Sequence, residues 1–281
     1  MRFLYSTDLH GDPRKYDEAL RYAVDRGISL IHLGGDLLPK GKNVLKAQKK
    51  FVKGFLHRFY DECEAKGIKV LAFFGNDDLY CRKKYFREYA ELLDEHPFEI
   101  GGYQFTGYPF VPDYRWLWKF GCKNDRPDWY CPELYLEGTP KDCTEEGLVP
   151  IEDIGRYFES KGTIEGDLRG MPGGDSVIAA IHCPPDGCNL DVCQTKDGKN
   201  QRRVGSRAVT NWILEKQPRL VLCGHIHESP FVNDIHRWSI DIDKSLVIQP
   251  GQFNEDEGTV LVDIDVTDST IHINRIELPP R

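Results

Sequence analysis

Five short β-prone runs in this chain each end in residues that bind metals, and that recurrence restricts the fold more than any other feature. The plainest case is Leu33-Gly34-Gly35-Asp36, which closes an apolar run beginning at Ile28. Two glycines let the backbone turn sharply, and an aspartate follows. The run Arg2 to Thr7 leads into Asp8-Leu9-His10, and Ile68 to Phe74 leads into Gly75-Asn76-Asp77-Asp78. Ser176 to Ile181 ends in His182-Cys183-Pro184-Pro185, and Arg219 to Cys223 ends in Gly224-His225-Ile226-His227. A lone Asp or His after a strand is usually a cap or a turn residue. Five such ends on one edge are different, because open α/β sheets bind ligands beyond the carboxyl ends of their strands. A carboxylate has two oxygens and can touch two cations, so Asp36 is expected to bridge a two-metal site.

The segments between these ends alternate in character. Pro13 to Arg26 has helical spacing of Tyr16, Ala19, Leu20, Ala23 and Val24, a proline in its first turn and Gly27 at its end. Asn43 to Lys66 reads as a long lysine-bearing helix, better taken as a solvated amphipathic face than as a phosphate-binding one. A helix is expected over Arg82 to Leu93, completing three strand–helix units and a parallel core. Residues 109–174 change character, with Trp116, Trp118 and Trp129, three cysteines and many Pro, Gly and Asp. They read as an irregular insertion with short helices near Ile151 to Ser160 and Thr163 to Arg169, a lid, a substrate-recognising segment or a packed structural elaboration. A polar loop is expected over Asp186 to Arg203, then a helix opened by Ser206. The tail alternates through His236 to Ile242, Ser245 to Ile248, Gly258 to Val266 and Thr270 to Ile276, an antiparallel ending expected on a second sheet.

At 281 residues the chain suits one domain, 1–281, carrying the insertion at about 109–174. Its net charge of −8 argues against long nucleic acid or a membrane surface as partner, and leaves room for a small phosphoester, nucleotides included. No apolar run approaches the ~20 residues needed to cross a bilayer. No leader pattern precedes the first strand, so a cytoplasmic location is expected. Cys183, Cys188 and Cys193 recur every five residues; of a thiolate metal site and reduced cytosolic thiols, the thiols are the preferred reading.

Carboxylate, imidazole and amide oxygen together suit borderline divalent ions such as Mn, Fe, Zn, Ni or Co. In extended chain, residues two apart point to the same side, so Asp8 with His10, and His225 with His227, can converge. In these five blocks and their order the chain resembles the calcineurin-like metallophosphoesterase superfamily, whose signature runs D-x-H, G-D, G-N-H-[DE], H and G-H-x-H. Gly34-Gly35-Asp36-Leu37-Leu38-Pro39, His182-Cys183-Pro184-Pro185, Gly205-Ser206-Arg207-Ala208 and Pro250-Gly251-Gln252 resemble its uncharacterised bacterial and archaeal branch. The resemblance implies an α/β/β/α sandwich of two mixed sheets flanked by helices. It implies one metal held by Asp8, His10, Asp36 and His227, and a second held by Asp36, Asn76, His182 and His225, with Mn favoured. It further implies hydrolysis of a phosphoester, a phosphodiester before a monoester, by attack of a hydroxide bridging the two cations. The alternative is a metal-binding scaffold, weak or inactive in catalysis, that binds a protein partner.

One block departs from the pattern. Where the family has G-N-H-[DE], this chain reads Gly75-Asn76-Asp77-Asp78. The replaced histidine is the family's candidate proton donor to the leaving oxygen, and an aspartate beside two cations is a poor donor. Asp77 and Asp78 are therefore the candidate catalytic carboxylates. Asp77 is read as orienting a group, touching a metal or taking no part in catalysis, and Asp78 as holding Asp8 or a metal-bound histidine from behind.

Overall fold

The computed structural model describes residues 1–112, 117–128, 138–144, 147–195, 200–233, 235–254 and 257–280. Two six-stranded mixed sheets face each other. In the first, the order is Ile271–Leu278, Thr259–Val266, Arg2–Ser6, Leu30–Gly34, Lys69–Phe73 and Glu91–Leu92. In the second it is Ser239–Ile242, Ser245–Ile248, Leu220–Leu222, Val177–Ile181, Tyr103–Tyr108 and Phe98–Ile100. The runs Arg2–Ser6, Leu30–Gly34 and Lys69–Phe73 are parallel, as are Tyr103–Tyr108, Val177–Ile181 and Leu220–Leu222. The three site-bearing ends of the first sheet and the two of the second therefore meet at one edge.

Because side chains alternate across a strand, each sheet buries both faces. Phe3, Tyr5, Leu71 and Phe73 meet Phe105, Ile178, Ala180 and Leu222 between the sheets. On the outer face of the first sheet, Leu4, Ile31, Leu33 and Val70 pack on Tyr16, Leu20, Phe51 and Phe59 of the helices Pro13–Arg26, Val44–Phe51 and His57–Ala65. The second sheet packs Ala179, Ile181, Val221 and Val247 on Val209, Trp212 and Ile213 of the helix Arg207–Lys216. This is the expected α/β/β/α layering.

Three expectations need correction. The helix expected over Arg82 to Leu93 is only Lys83–Phe86, after a 3₁₀ turn at Tyr80–Arg82. The chain then pairs Glu91 and Leu92 in parallel with Leu71 and Ala72, so ladder bonding at the sheet edge replaces further helical turns. The tail does not stay on the second sheet: Thr259–Val266 pairs antiparallel with Arg2–Ser6 and returns the chain to the first. The loop expected over Asp186 to Arg203 contains a ladder between Val192–Gln194 and Gln201–Arg203. In the insertion, helices Ile154–Lys161 and Ile164–Leu168 lie close to their expected places. Trp116, Trp129 and Cys131 fall outside the described residues.

His32 sits in the middle of the inter-sheet core. It is fully buried, with ring centroids 5.5 Å from Tyr5, 5.9 Å from Phe105 and 6.1 Å from Phe73. Neither ring nitrogen has a hydrogen-bond partner among the described residues. Burial pushes its pKa down to about 3, while the unfolded chain keeps it near ~6.5. Between those values the unfolded state binds the extra proton, so stability falls as pH drops below ~6.5, by up to about 1.4 kcal/mol per pH unit. His32→Leu is expected to remove that slope and to add about 1–3 kcal/mol at neutral pH by relieving two unpaired ring nitrogens. Urea midpoints of both proteins at pH 5 and 7.5 check this; parallel acid sensitivity in the two would refute it.

Candidate metal centre

The donors arise on tight turns immediately after the parallel strands. Asp8, His10, Asp36 and His225 all have positive φ, 56°, 45°, 49° and 72°. Four of the eight non-glycine residues in that region, among the described residues, are thus predicted ligands. Left-handed backbone at such residues costs on the order of 1–3 kcal/mol each, and persists where surrounding contacts over-determine it. Those contacts are visible. His10 N–H donates to Asp36 C=O at 2.9 Å, and Asp8 N–H to Gly35 C=O at 3.0 Å. His225 N–H donates to both oxygens of Asp8, 3.0 Å each, tying the two sheets together at the site. Gly75 has no room for a side chain: a Cβ there would meet the Asp36 carboxylate.

The side chains converge. Asp8, His10 and His227 offer ligand atoms that all lie within 4.8 Å of one another, as do Asp8, Asp36 and His182, and His10, Asp36 and Asp77. His10 Nε2 and His227 Nε2 are 2.9 Å apart. Two nitrogens each ~2.1 Å from one shared cation lie ~3 Å apart when they subtend a right angle. His182 Nε2 lies 3.4 Å from Asp36 Oδ2 and 4.0 Å from Asp8 Oδ1. His182 Nδ1 lies 3.2 Å from Gly34 C=O, an arrangement that turns Nε2 toward the carboxylates. The His225 ring centroid is 5.4 Å from that of His182. Asn76 donates from Nδ2 to Asp77 Oδ1 at 3.0 Å, which leaves its Oδ1 as the donor atom for a cation.

The residues fit a pair of divalent cations on one further observation. Asn76 Oδ1 and His182 Nε2 are buried without a hydrogen-bond partner among the described residues. Buried polar atoms are nearly always satisfied, so two orphans beside one pair of buried carboxylates need a ligand. Within the cluster the carboxylates and imidazoles balance one another's charge: against its burial, Asp36 and Asp8 raise His182 to about 9. Burial alone would raise the Asp8 carboxyl, yet His227 and His182 hold it at about 2, and Asp36 is held lower still against the same burial. Burial pushes His225 down to about 3, keeping its imidazole in the neutral form that metals require.

Asp77 and Asp78 differ in what they touch. Asp77 N–H donates to Asp36 Oδ1 at 2.8 Å, and Asp77 Oδ2 lies 4.0 Å from His10 Nδ1. Asp77 thus stands at the donor cluster itself. Asp78 is fully buried and touches neither Asp8 nor a histidine. It accepts from Leu37 N–H at 3.0 Å, Leu38 N–H at 2.8 Å and Gly75 N–H at 2.9 Å, clamping the turns on both sides of Asp36. Burial, then the charge of Asp36, raise Asp77 to about 7 and Asp78 to about 8. Nearby cations act in the opposite direction on both. Asp78→Ala is expected to leave three buried N–H groups unpaired and to cost about 3–5 kcal/mol. Chemical denaturation measures it; a loss under ~1 kcal/mol would mean that water replaces the carboxylate at all three donors.

Two supporting side chains carried no motif. Thr7 Oγ1 donates to Gly34 C=O at 2.7 Å and lies 2.9 Å from Asp8 Oδ2. Gln48 donates to Asp77 C=O at 2.8 Å and accepts from Leu79 N–H at 3.0 Å. Its signal was a polar residue in register with Val44 and Phe51 on the buried helix face. Asp12 caps the first helix by accepting from Arg14 N–H, and Arg207 faces Asp186. The thiols of Cys183 and Cys188 are occupied by backbone carbonyls, and the eight described cysteines are all free. The insertion reaches the site's flank, where Gly121 packs on the Asn76 backbone.

Solved structures share this architecture. The TT1561 protein of Thermus thermophilus aligns with a TM-score of 0.52 at 17% identity, covering 97% of each chain. A dimetal phosphatase from Danio rerio aligns with a TM-score of 0.51 at 10% identity, covering 100% of this chain and 99% of the other. At such identities the likeness speaks for the fold alone. Among curated proteins none matches the chain. The family model described as calcineurin-like phosphoesterase matches residues 1–229, through the last of the five strand ends. Together with the two facing sheets and the donors gathered at their common edge, that match makes the chain a member of the calcineurin-like phosphoesterase family.

Proposed function

We propose that this protein hydrolyses a phosphodiester at a pair of divalent cations. The observation that carries the reading is the convergence of Asp8, His10, Asp36, His182 and His227, with His182 Nε2 and Asn76 Oδ1 buried and without a hydrogen-bond partner among the described residues. Asp8, His10, Asp36 and His227 would hold one ion, and Asp36, Asn76, His182 and His225 the other. Bound there, the cations supply Lewis acidity and a water that ionises near neutral pH. The chain's own part is placement. Asp78 fixes the turns that present Asp36, the Asp77 amide holds one Asp36 oxygen, and the His225 amide holds Asp8.

Asp77 supports a diester over a monoester. It puts a carboxylate where the family pattern has an imidazole, and like charge disfavours a dianionic monoester more than a monoanionic diester. Manganese is the cation we favour, since the donors are oxygen and imidazole nitrogen without thiolate. Free cysteines support a reducing, cytoplasmic setting. Among the described residues no helix is long and apolar enough to cross a membrane. The test is metal content after loading with Mn, Fe, Zn, Ni or Co, followed by rates on bis(4-nitrophenyl) phosphate and 4-nitrophenyl phosphate. Two ions per chain and faster diester turnover are expected. Two bound ions without turnover under any metal would favour a binding scaffold.

A further inference from the structure

The cleft beside His227 holds an aromatic pair that the metal chemistry does not use. Phe231 and Phe253 stack with centroids 5.1 Å apart and planes 26° apart, and both line, with His227, a cleft of about 520 Å³. Core phenylalanines here are fully buried, Phe3, Phe73 and Phe105 among them, whereas Phe231 and Phe253 are only half-buried. The pair is rigidly joined to the donor cluster. Gln252 N–H donates to His227 C=O at 3.0 Å, Gln252 Nε2 donates to Thr7 C=O at 3.0 Å, and Phe253 N–H donates to Gln252 Oε1 at 3.1 Å. Lys15 Nζ holds Phe253 C=O at 2.5 Å. The Arg275 guanidinium lies 5.0 Å from the Phe231 centroid and is itself fixed on Pro250 C=O at 2.7 Å. Phe231 is thus occupied by a cation and a ring, and Phe253 has one ring partner among the described residues. Glu228 and Glu257 line the same cleft, so a second anion is disfavoured there and a neutral ring is not.

We infer that this cleft is the subsite for a planar aromatic group esterified to the phosphoryl centre, with Phe253 as the residue on which that ring stacks. The inference rests on the phosphoesterase reading above and names the substrate class of that site. Offset stacking on a preformed, partly exposed ring favours any flat π-system, so an aryl ester and a nucleoside ester share the chemistry.

Three diesters with the same leaving group separate the sources: methyl, phenyl and thymidine 5′-(4-nitrophenyl phosphate). The Mn-loaded wild type is expected to prefer phenyl, thymidine or both over methyl by about tenfold in kcat/KM, mainly through KM. Phe253→Ala is expected to bring that ratio to about one, and Phe253→Trp to restore it. A preference for phenyl alone assigns an aryl substrate, for thymidine alone a nucleoside. Equal values for all three, or a ratio unmoved by Phe253→Ala, overturn the subsite. If none of the three is hydrolysed, the hydrolase reading fails separately. Calorimetric binding of thymidine monophosphate against methyl phosphate then decides: about tenfold tighter binding lost in Phe253→Ala supports the subsite, and equal binding overturns it.

Discussion

Asp36→Asn is expected to lower kcat/KM on bis(4-nitrophenyl) phosphate by about 10³-fold, close to 4 kcal/mol of transition-state stabilisation. Asp36 is 2% exposed, and its two oxygens face different parts of the cluster: Oδ1 accepts from Asp77 N–H at 2.8 Å, and Oδ2 lies 3.4 Å from His182 Nε2 and 3.8 Å from His10 Nε2. Asparagine keeps one oxygen and the hydrogen bond to Asp77. It loses the charge and puts an amide N–H₂ toward His182 and His10, one from each donor set. The fold should survive, because the substitution removes a buried anion that also raises Asp77 and Asp78. A second readout separates lost metal from lost structure. A cation that binds only the native state adds about 2.7 kcal/mol at a hundred times its Kd. The wild type should gain that increment in a manganese-dependent melt, and Asp36→Asn should gain little. Equal metal stabilisation in the two proteins would remove Asp36 from its bridging role, whatever the rates.

The five strand ends could be read from the chain because each couples two local signals, a β-prone run and a turn carrying donors, and because parallel pairing brings all such ends to one edge. The left-handed backbone of Asp8, His10, Asp36 and His225 could not be read this way, since none is glycine. It follows from long-range bonds such as His225 N–H on Asp8, which span 217 residues. The same limit explains the misread helix. Phe86, Tyr89, Ala90 and Leu93 have helical spacing, but Leu93 N–H donates to Ala72 C=O at 2.9 Å, and the edge of a distant sheet decides the conformation. Thr259–Val266 is buried at nearly every position, so its pattern says it is central without saying in which sheet. Asp78 shows the limit for site residues: a buried carboxylate three residues after a glycine is conspicuous, while its partners, the amides of Leu37 and Leu38, become visible only in three dimensions.

The substitution at Asp77 should appear as a steep dependence of rate on the leaving group. Its carboxylate already acts as an acceptor: Oδ1 takes Asn76 Nδ2–H at 3.0 Å, and Oδ2 faces His10. Burial and the Asp36 charge raise it to about 7, and two cations beside it would return it to the ionised form, with no proton for a departing alkoxide. General acid assistance contributes typically ~10²–10⁴-fold, and a site without it must rely on a leaving group that departs as a stable anion. Across methyl aryl phosphates whose phenols span a pKa series, the wild type is expected to lose about 10²-fold or more from 4-nitrophenyl to phenyl. Asp77→His would put an imidazole N–H near the same point and should compress that span by about tenfold, with most of the gain on the poorest leaving group. The two variants also separate in what they do to metal. Asp77→His leaves Asp36 Oδ1 with its backbone amide partner, so the manganese-dependent melt should change little while the leaving-group slope changes. A flat dependence in the wild type would show that some other group already protonates the leaving oxygen, and the aspartate would then be a positioning residue through its amide alone.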